Sequence, residues 1–241
     1  MKIVFLKRFF VIIISIFVGF GMKAQVSQGI ELGAITGVSY YMGDINLYRQ
    51  FYSVHPNFGG MVKYHFNQRN ILKVSSFFTH LSAYDKDFKD VFQQMRNASF
   101  KTSFLEINIM YEVNFLQYIL GQTRKCSWSP YLAVGGAVYF ASESNKKVGL
   151  GIPMTFGFKK NISRHLILGV EWSFHKLFSD ELDNLSGENI NKDYSENYGT
   201  IIESQNSGKQ RGFRFNQDWQ VCALVTLSYS FRIGGFTCNA Y

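Results

Sequence analysis

Beyond its first 24 residues the chain has no apolar run that approaches the ~18 residues a spanning helix needs, so any membrane integration must use strands. Proline is scarce, at 3 in 241 residues, while 46% of the chain is hydrophobic and 17% aromatic, which excludes a disordered polypeptide. Clustered bases are absent as well. Of 25 Lys and Arg, four (Lys2, Lys7, Arg8 and Lys23) sit in the first 24 residues, leaving 21 against 17 acids. A nucleic-acid partner is therefore not expected. Metal and cofactor motifs are missing too. His55, His65, His80, His165 and His175 form no helical pair and have no Cys companion, and the acidic run Asp180-Glu181-Leu182-Asp183-Asn184 lacks the ligand spacing and central Gly of a calcium loop. Catalysis has little support: Glu171, Ser173 and His175 lie in line on one strand face, as luminal residues of barrels commonly do. The chain reads as a non-enzyme with no cofactor.

The first 24 residues supply what the rest lacks. A basic start is followed by an apolar run over 9–20 and then Gly21-Met22-Lys23-Ala24, which reads as a cleaved secretory signal. Residues 25–232 then carry a repeated alternation of period two. It is nearly unbroken over 103–115, where Leu105, Ile107, Ile109, Tyr111, Val113 and Phe115 alternate with Glu106, Asn108, Glu112 and Asn114. It recurs over 30–41, 166–175 and 219–231, and more weakly over 59–66, 71–81, 131–140 and 148–159. Eight strands are predicted. Connections after strands two and six are tight. Those after one, three and seven are long and polar, the last over 178–216. This is the asymmetry of an outer-membrane barrel, with short periplasmic turns and long external loops.

The fold expected is all-β, an eight-stranded antiparallel transmembrane barrel in the outer membrane with its polar face inward. A soluble eight-stranded barrel would turn the same two faces the other way. Aromatics near predicted strand ends (Tyr40, Tyr41, Phe115, Tyr118, Trp128, Phe140, Trp219, Tyr229, Phe231) read as interfacial girdles against lipid. The inward face would then carry Glu106, Glu112 and Glu171, matched to Lys63, Lys73 and Lys159 as buried ion pairs, because unpaired charges there cost several kcal/mol each. Cys126 and Cys238 both fall on the periplasmic side, so a bridge between them is allowed, while Cys222 faces the lumen. The odd count leaves one thiol free or bonded to a partner. Residues 233–241 form a periplasmic tail. With the long 116–127 turn, it exceeds what closing a barrel requires.

Several short motifs keep a common order and spacing along the chain: Glu31-Leu32-Gly33, Ser39-Tyr40-Tyr41-Met42-Gly43-Asp44-Ile45-Asn46, Arg96-Asn97-Ala98-Ser99-Phe100, Glu106 with Glu112-Val113-Asn114-Phe115-Leu116, Pro130-Tyr131, Ile152-Pro153, Glu171 with Asp180-Glu181-Leu182-Asp183-Asn184-Leu185-Ser186, and Arg211-Gly212 before Asp218-Trp219. Together they resemble the PorG-like outer-membrane barrels of the type IX secretion system of Bacteroidetes. The resemblance implies a non-enzymatic barrel that anchors periplasmic partners, a lipoprotein and ring components of the secretion machine, and in some relatives supports gliding. A plain structural or adhesive barrel acting through its loops, and a lipid-modifying enzyme, are the other readings weighed. The topology itself is testable: a cysteine introduced at Ser195 is expected to be labelled on intact cells and one in the tail is not, the reverse result overturning the orientation.

Overall fold

The computed structural model describes residues 29–43, 45–46, 48–89, 93–94, 99–142, 147–178 and 218–232. The expected signal segment, most of the connection over 178–216, the acidic run at Asp180, and the tail with Cys238 lie outside them. Eight strands close into one antiparallel barrel in sequence order. They are β1 (Gly29–Met42), β2 (His55–His65), β3 (Asn70–Tyr84), β4 (Ser99–Asn114), β5 (Trp128–Ala141), β6 (Val148–Asn161), β7 (Leu166–Leu177) and β8 (Trp219–Arg232). Closure leaves no free sheet edge, so every strand finds its backbone partners within the wall. No helix among the described residues is long and apolar enough to cross a membrane.

The barrel is sheared. Following the pairing from Ile30 through Tyr64, Leu72, Tyr111, Val134, Met154, Phe174 and Val221 returns to β1 at Tyr40, ten residues above the start. That offset fixes the strand tilt, and with eight strands it gives an interior just wide enough for side chains to fill. Along β6 the burial alternates without a break, Gly149, Gly151, Pro153, Thr155, Gly157 and Lys159 inside and Leu150, Ile152, Met154, Phe156 and Phe158 outside. Outside means apolar on every strand: Val62, Val74, Ile109, Val134, Val170 and Leu227 are all exposed. Inside, Glu31, Lys63, Lys73, Glu106, Glu112, Lys159 and Glu171 are buried. Charged interior and apolar exterior exclude the soluble barrel, whose core would be apolar, and make this a transmembrane barrel of the outer membrane.

Three features differ from the sequence reading. The strands run further toward the loop end than the alternation suggested: β2 begins at His55, β3 continues to Tyr84 and β4 starts at Ser99. Polar residues such as His80, Lys101 and Ser103 end the apolar outer pattern while their backbone keeps pairing. Second, Tyr41 and Tyr118 belong to no girdle, because both are buried in the interior. Tyr40 does lie on the outer wall but is covered. The connection after β1 folds back over it, bonding the Tyr40 hydroxyl to Gln50 and placing the Phe51 ring 5.3 Å from Tyr40 and 5.5 Å from Trp172 of β7. Phe51 adopts φ 55°, a left-handed conformation rare for a bulky side chain, which aims its ring back at the wall. Third, the long turn after β4 is not spare chain. Tyr118 and Leu120 pack with Ile167 of β7 inside the barrel mouth.

An arginine on the lipid-facing wall should be costly. Ile109→Arg is expected to lower the stability of the barrel in lipid vesicles by roughly 2–4 kcal/mol, read from urea titration. An unchanged midpoint would mean that β4 does not face lipid at Ile109.

Candidate functional site: the filled lumen

The lumen is built in layers, and the ion cluster nearer the turn end is the most demanding of them. Strand parity brings Lys63 of β2, Lys73 of β3, Glu112 of β4, Tyr131 of β5, Lys159 of β6 and Glu171 of β7 to the inside. The Lys73 ammonium donates to both Glu171 oxygens at 2.7 and 2.6 Å, across the barrel. Glu112 is held from two sides, by Lys63 at 2.9 Å and by Lys159. Lys63 also lies 4.0 Å from Glu171, which joins the two pairs into one network. The Tyr131 hydroxyl donates to Glu171 Oε1 at 2.6 Å, and its ring lies 4.9 Å from the Lys63 ammonium and 5.1 Å from that of Lys159. Tyr131 can do this because Gly157 stands between it and Glu171 in the register. A Cβ there would sit 2.4 Å from the ring.

Next to this cluster, Glu31 takes a 2.6 Å bond from His65 Nε2 and a 3.2 Å bond from the Ser228 hydroxyl. Glu31, Glu112 and Glu171 thus face three lysines. The balance matters because an unpaired charge in a water-poor interior is far costlier than a paired one. Glu106 departs from the sequence expectation. Its partner is His175, whose Nδ1 lies 2.6 Å from Glu106 Oε1, rather than any lysine. The shear carries Glu106 and His175 above an apolar layer of Ile35, Met61, Phe77, Cys222 and Leu224, away from the lysines. The Phe77 ring packs edge-on at 5.6 Å from His175.

Both mouths are closed. At the loop end Tyr41, Ile45, Leu81, Phe88, Phe100, Phe104 and Tyr139 belong to one buried cluster. Tyr41 is fixed by a 2.6 Å bond to Asp218, and Gln93 ties the two long connections together through the Ile45 carbonyl at 2.7 Å. At the turn end the Tyr118 hydroxyl bonds Asn161, and the Asn161 amide donates to the Ile119 and Gln122 carbonyls, each at 2.8 Å. Burial and the nearby Glu31 and Glu112 carboxylates push the Tyr118 phenol well above its ordinary pKa, so this plug stays neutral. The Lys159 ammonium lies 4.7 Å from the Tyr118 ring, stacking the plug directly on the ion cluster. Cys222 is buried and Cys126 half-buried, and neither is bridged among the described residues, which do not include Cys238. Among the described residues no group of His, Cys, Asp and Glu could hold a metal ion.

Sequence reasoning placed the six charged residues on one face but missed their stabilisers, Tyr131, Gly157, His65 and Tyr118. The Tyr131–Gly157–Glu171 row needs a register that no single strand reveals. The network makes a sharp expectation. Glu171→Gln should destabilise the barrel by roughly 3–5 kcal/mol by orphaning Lys73, and adding Lys73→Met should restore most of the loss, measured as unfolding midpoints in vesicles. Equal stability of the single variant and the parent would show that the pair carries no weight.

No curated protein matches the sequence. Among solved structures, the N-terminal β-barrel domain of Pseudomonas aeruginosa OprF is 12% identical with a TM-score of 0.44, covering 86% of this chain and 100% of that one. The attachment invasion locus protein Ail of Yersinia pestis, solved with the heparin analogue sucrose octasulfate, is 10% identical with a TM-score of 0.46 over 86% of this chain and 100% of its own. OprG of Pseudomonas aeruginosa, at 10% identity and a TM-score of 0.42, covers 86% of this chain and 97% of that chain. Residues 7–240, nearly the whole chain and every strand of the barrel, match the family described as a domain of unknown function (DUF6089), and the protein belongs to that family.

Proposed function

We propose that the protein is a non-enzymatic outer-membrane anchor that holds periplasmic components of a type IX secretion machine, a lipoprotein and its ring partners, against the membrane. The observation that carries this reading is the filled lumen. Side chains occupy the interior at both mouths and at two levels between them. Among the described residues the lumen is filled from end to end, as an eight-stranded barrel allows, and this supports a reading in which its work is done by its outer surfaces. The secretion role itself rests on the ordered motifs from Glu31 to Trp219 and their resemblance to PorG-like barrels. The turn end faces the periplasm by the loop-length asymmetry of such barrels.

In sequence the tail over 233–241, with Cys238, follows β8, whose C-terminal end is the turn end of the barrel. Removing the protein should stop export of type IX cargo. Detergent extracts of outer membranes should yield a periplasmic lipoprotein with the intact barrel, and yield less of it after deletion of 233–241 or Cys238→Ser with the barrel still in place. Normal cargo export in the deletion strain would overturn the reading.

A further inference from the structure

The acids of this chain are distributed unevenly between the two ends of the barrel. Of 17 Asp and Glu, four (Glu31, Glu106, Glu112 and Glu171) are buried in the lumen. Every other one belongs to a segment that joins strands at the loop end. The three turns at the opposite end, over 66–69, 115–127 and 162–165, contain no acid at all. They hold Arg69, Arg124, Lys125 and Arg164, all exposed. Apart from the adjacent Arg124 and Lys125, these bases are at least 39 residues apart, which is why no larger basic cluster is visible in the sequence.

The fold gathers them onto one surface. Asn114 N–H donates to the Arg69 carbonyl at 2.7 Å and Tyr118 N–H to the Gln68 carbonyl at 3.3 Å, tying the first turn to the second. Asn161 N–H donates to the Ser127 carbonyl at 2.8 Å, and its side-chain amide to that of Gln122, tying the second turn to the third. The central turn is pinned from within by buried Tyr118 and Leu120. Four like charges on a braced surface with no acid nearby repel one another, and folding gains nothing from them.

We propose that this acid-free turn face is the docking surface for an acidic protein surface, a carboxylate-rich face of a periplasmic component; the partner's identity as part of a secretion machine rests on the function proposed above. Guanidinium groups pair carboxylates through two parallel hydrogen bonds, and three of the four bases are arginines. The position favours protein over lipid. Exposed Phe66, Phe115, Trp128 and Ile162 mark the headgroup level at this end. Lys160, the register partner of Trp128, is exposed at that level, where a lysine is placed to meet lipid phosphates. The four bases of the turns lie beyond the paired wall.

The test uses the full barrel in nanodiscs of zwitterionic lipid, with poly-L-glutamate and phosphatidylglycerol vesicles as probes. Poly-L-glutamate should bind, less tightly as salt rises, and about tenfold more weakly to the combined Arg69→Gln, Arg124→Gln, Lys125→Gln, Arg164→Gln variant. A loop-end control, Lys86→Gln with Lys89→Gln and Lys147→Gln, should bind like the parent. Undiminished binding by the turn variant, or an equal loss in the control, overturns the proposal. So does tighter binding to phosphatidylglycerol vesicles that Lys160→Gln alone abolishes, which would assign the face to lipid. In cells the turn variant should insert normally and lose the co-purifying lipoprotein. If the deletion strain fails to export cargo while the turn variant exports and captures normally, the docking surface is wrong and the anchor reading stands. If the deletion strain exports normally while poly-L-glutamate binding still depends on the four bases, the docking chemistry stands and the secretion reading fails.

Discussion

Three lysines facing three glutamates inside an eight-stranded wall are the constraint on which the rest of this structure depends. An eight-stranded barrel leaves an interior that side chains must fill, and a lipid-facing exterior forbids those strands from exchanging their two faces. Lys63, Lys73 and Lys159 fill that interior with long side chains, which is useful only if each ammonium meets a carboxylate. Glu112 serves two of them and Glu171 the third. Supporting groups follow from this need. Tyr131 satisfies an oxygen of Glu171 while offering its ring to two ammonium groups, and the missing side chain of Gly157 makes room for it.

Water exclusion follows from the same network. Ion pairs weaken when solvent competes for them, and here an apolar layer closes one side while Tyr118, Leu120 and Ile167 close the other. The loop-end cluster adds a second seal further out. That seal depends on connecting chain, through Ile45 and Phe88, as much as on the wall. The first loop has a double role, since Tyr52 turns to Tyr84 and Asp87 while neighbouring Phe51 turns to the outer wall. Two left-handed residues, Phe51 and Ser53, make those opposed directions possible.

The wall was legible in the sequence because side-chain direction alternates along a strand whatever its neighbours are. Ile109 and Glu112 had to face opposite ways. Which lysine meets which glutamate was not legible, because it depends on shear. Lys73 and Glu171 are 98 residues apart, and a shift of the register would offer Glu171 a different partner. Glu106 shows this directly: it shares its face and strand with Glu112, yet lies on the far side of an apolar layer and meets His175. The strand ends at Tyr84 and Ser99 were hidden for another reason. Near the loop end the outer face turns polar, at His80, Lys101 and Ser103, while the inner face keeps Leu81, Phe100 and Phe104, so backbone pairing outlasts the alternating signal. The turn over 115–127 looked like spare length because a plug and a projecting loop have the same composition until one knows that Tyr118 and Leu120 are buried.

That turn joins the interior to the surface. Its inward residues lock onto the ion cluster through the Tyr118 ring beside Lys159, and its outward residues include Arg124 and Lys125. A flexible turn carrying two like charges would spread them and lower their mutual repulsion. This one cannot, since Tyr118 is fixed to Asn161 and the backbone on either side is bonded to the neighbouring turns. The cost of holding these charges together is therefore borne by the same contacts that seal the lumen. The exclusion of every acid from the adjoining turns lowers none of that cost and raises the positive field they share. Sealing requires Tyr118, Leu120 and Asn161, but it places no requirement on the sign of the residues outside, so the basic face calls for a cause beyond the folding of the barrel.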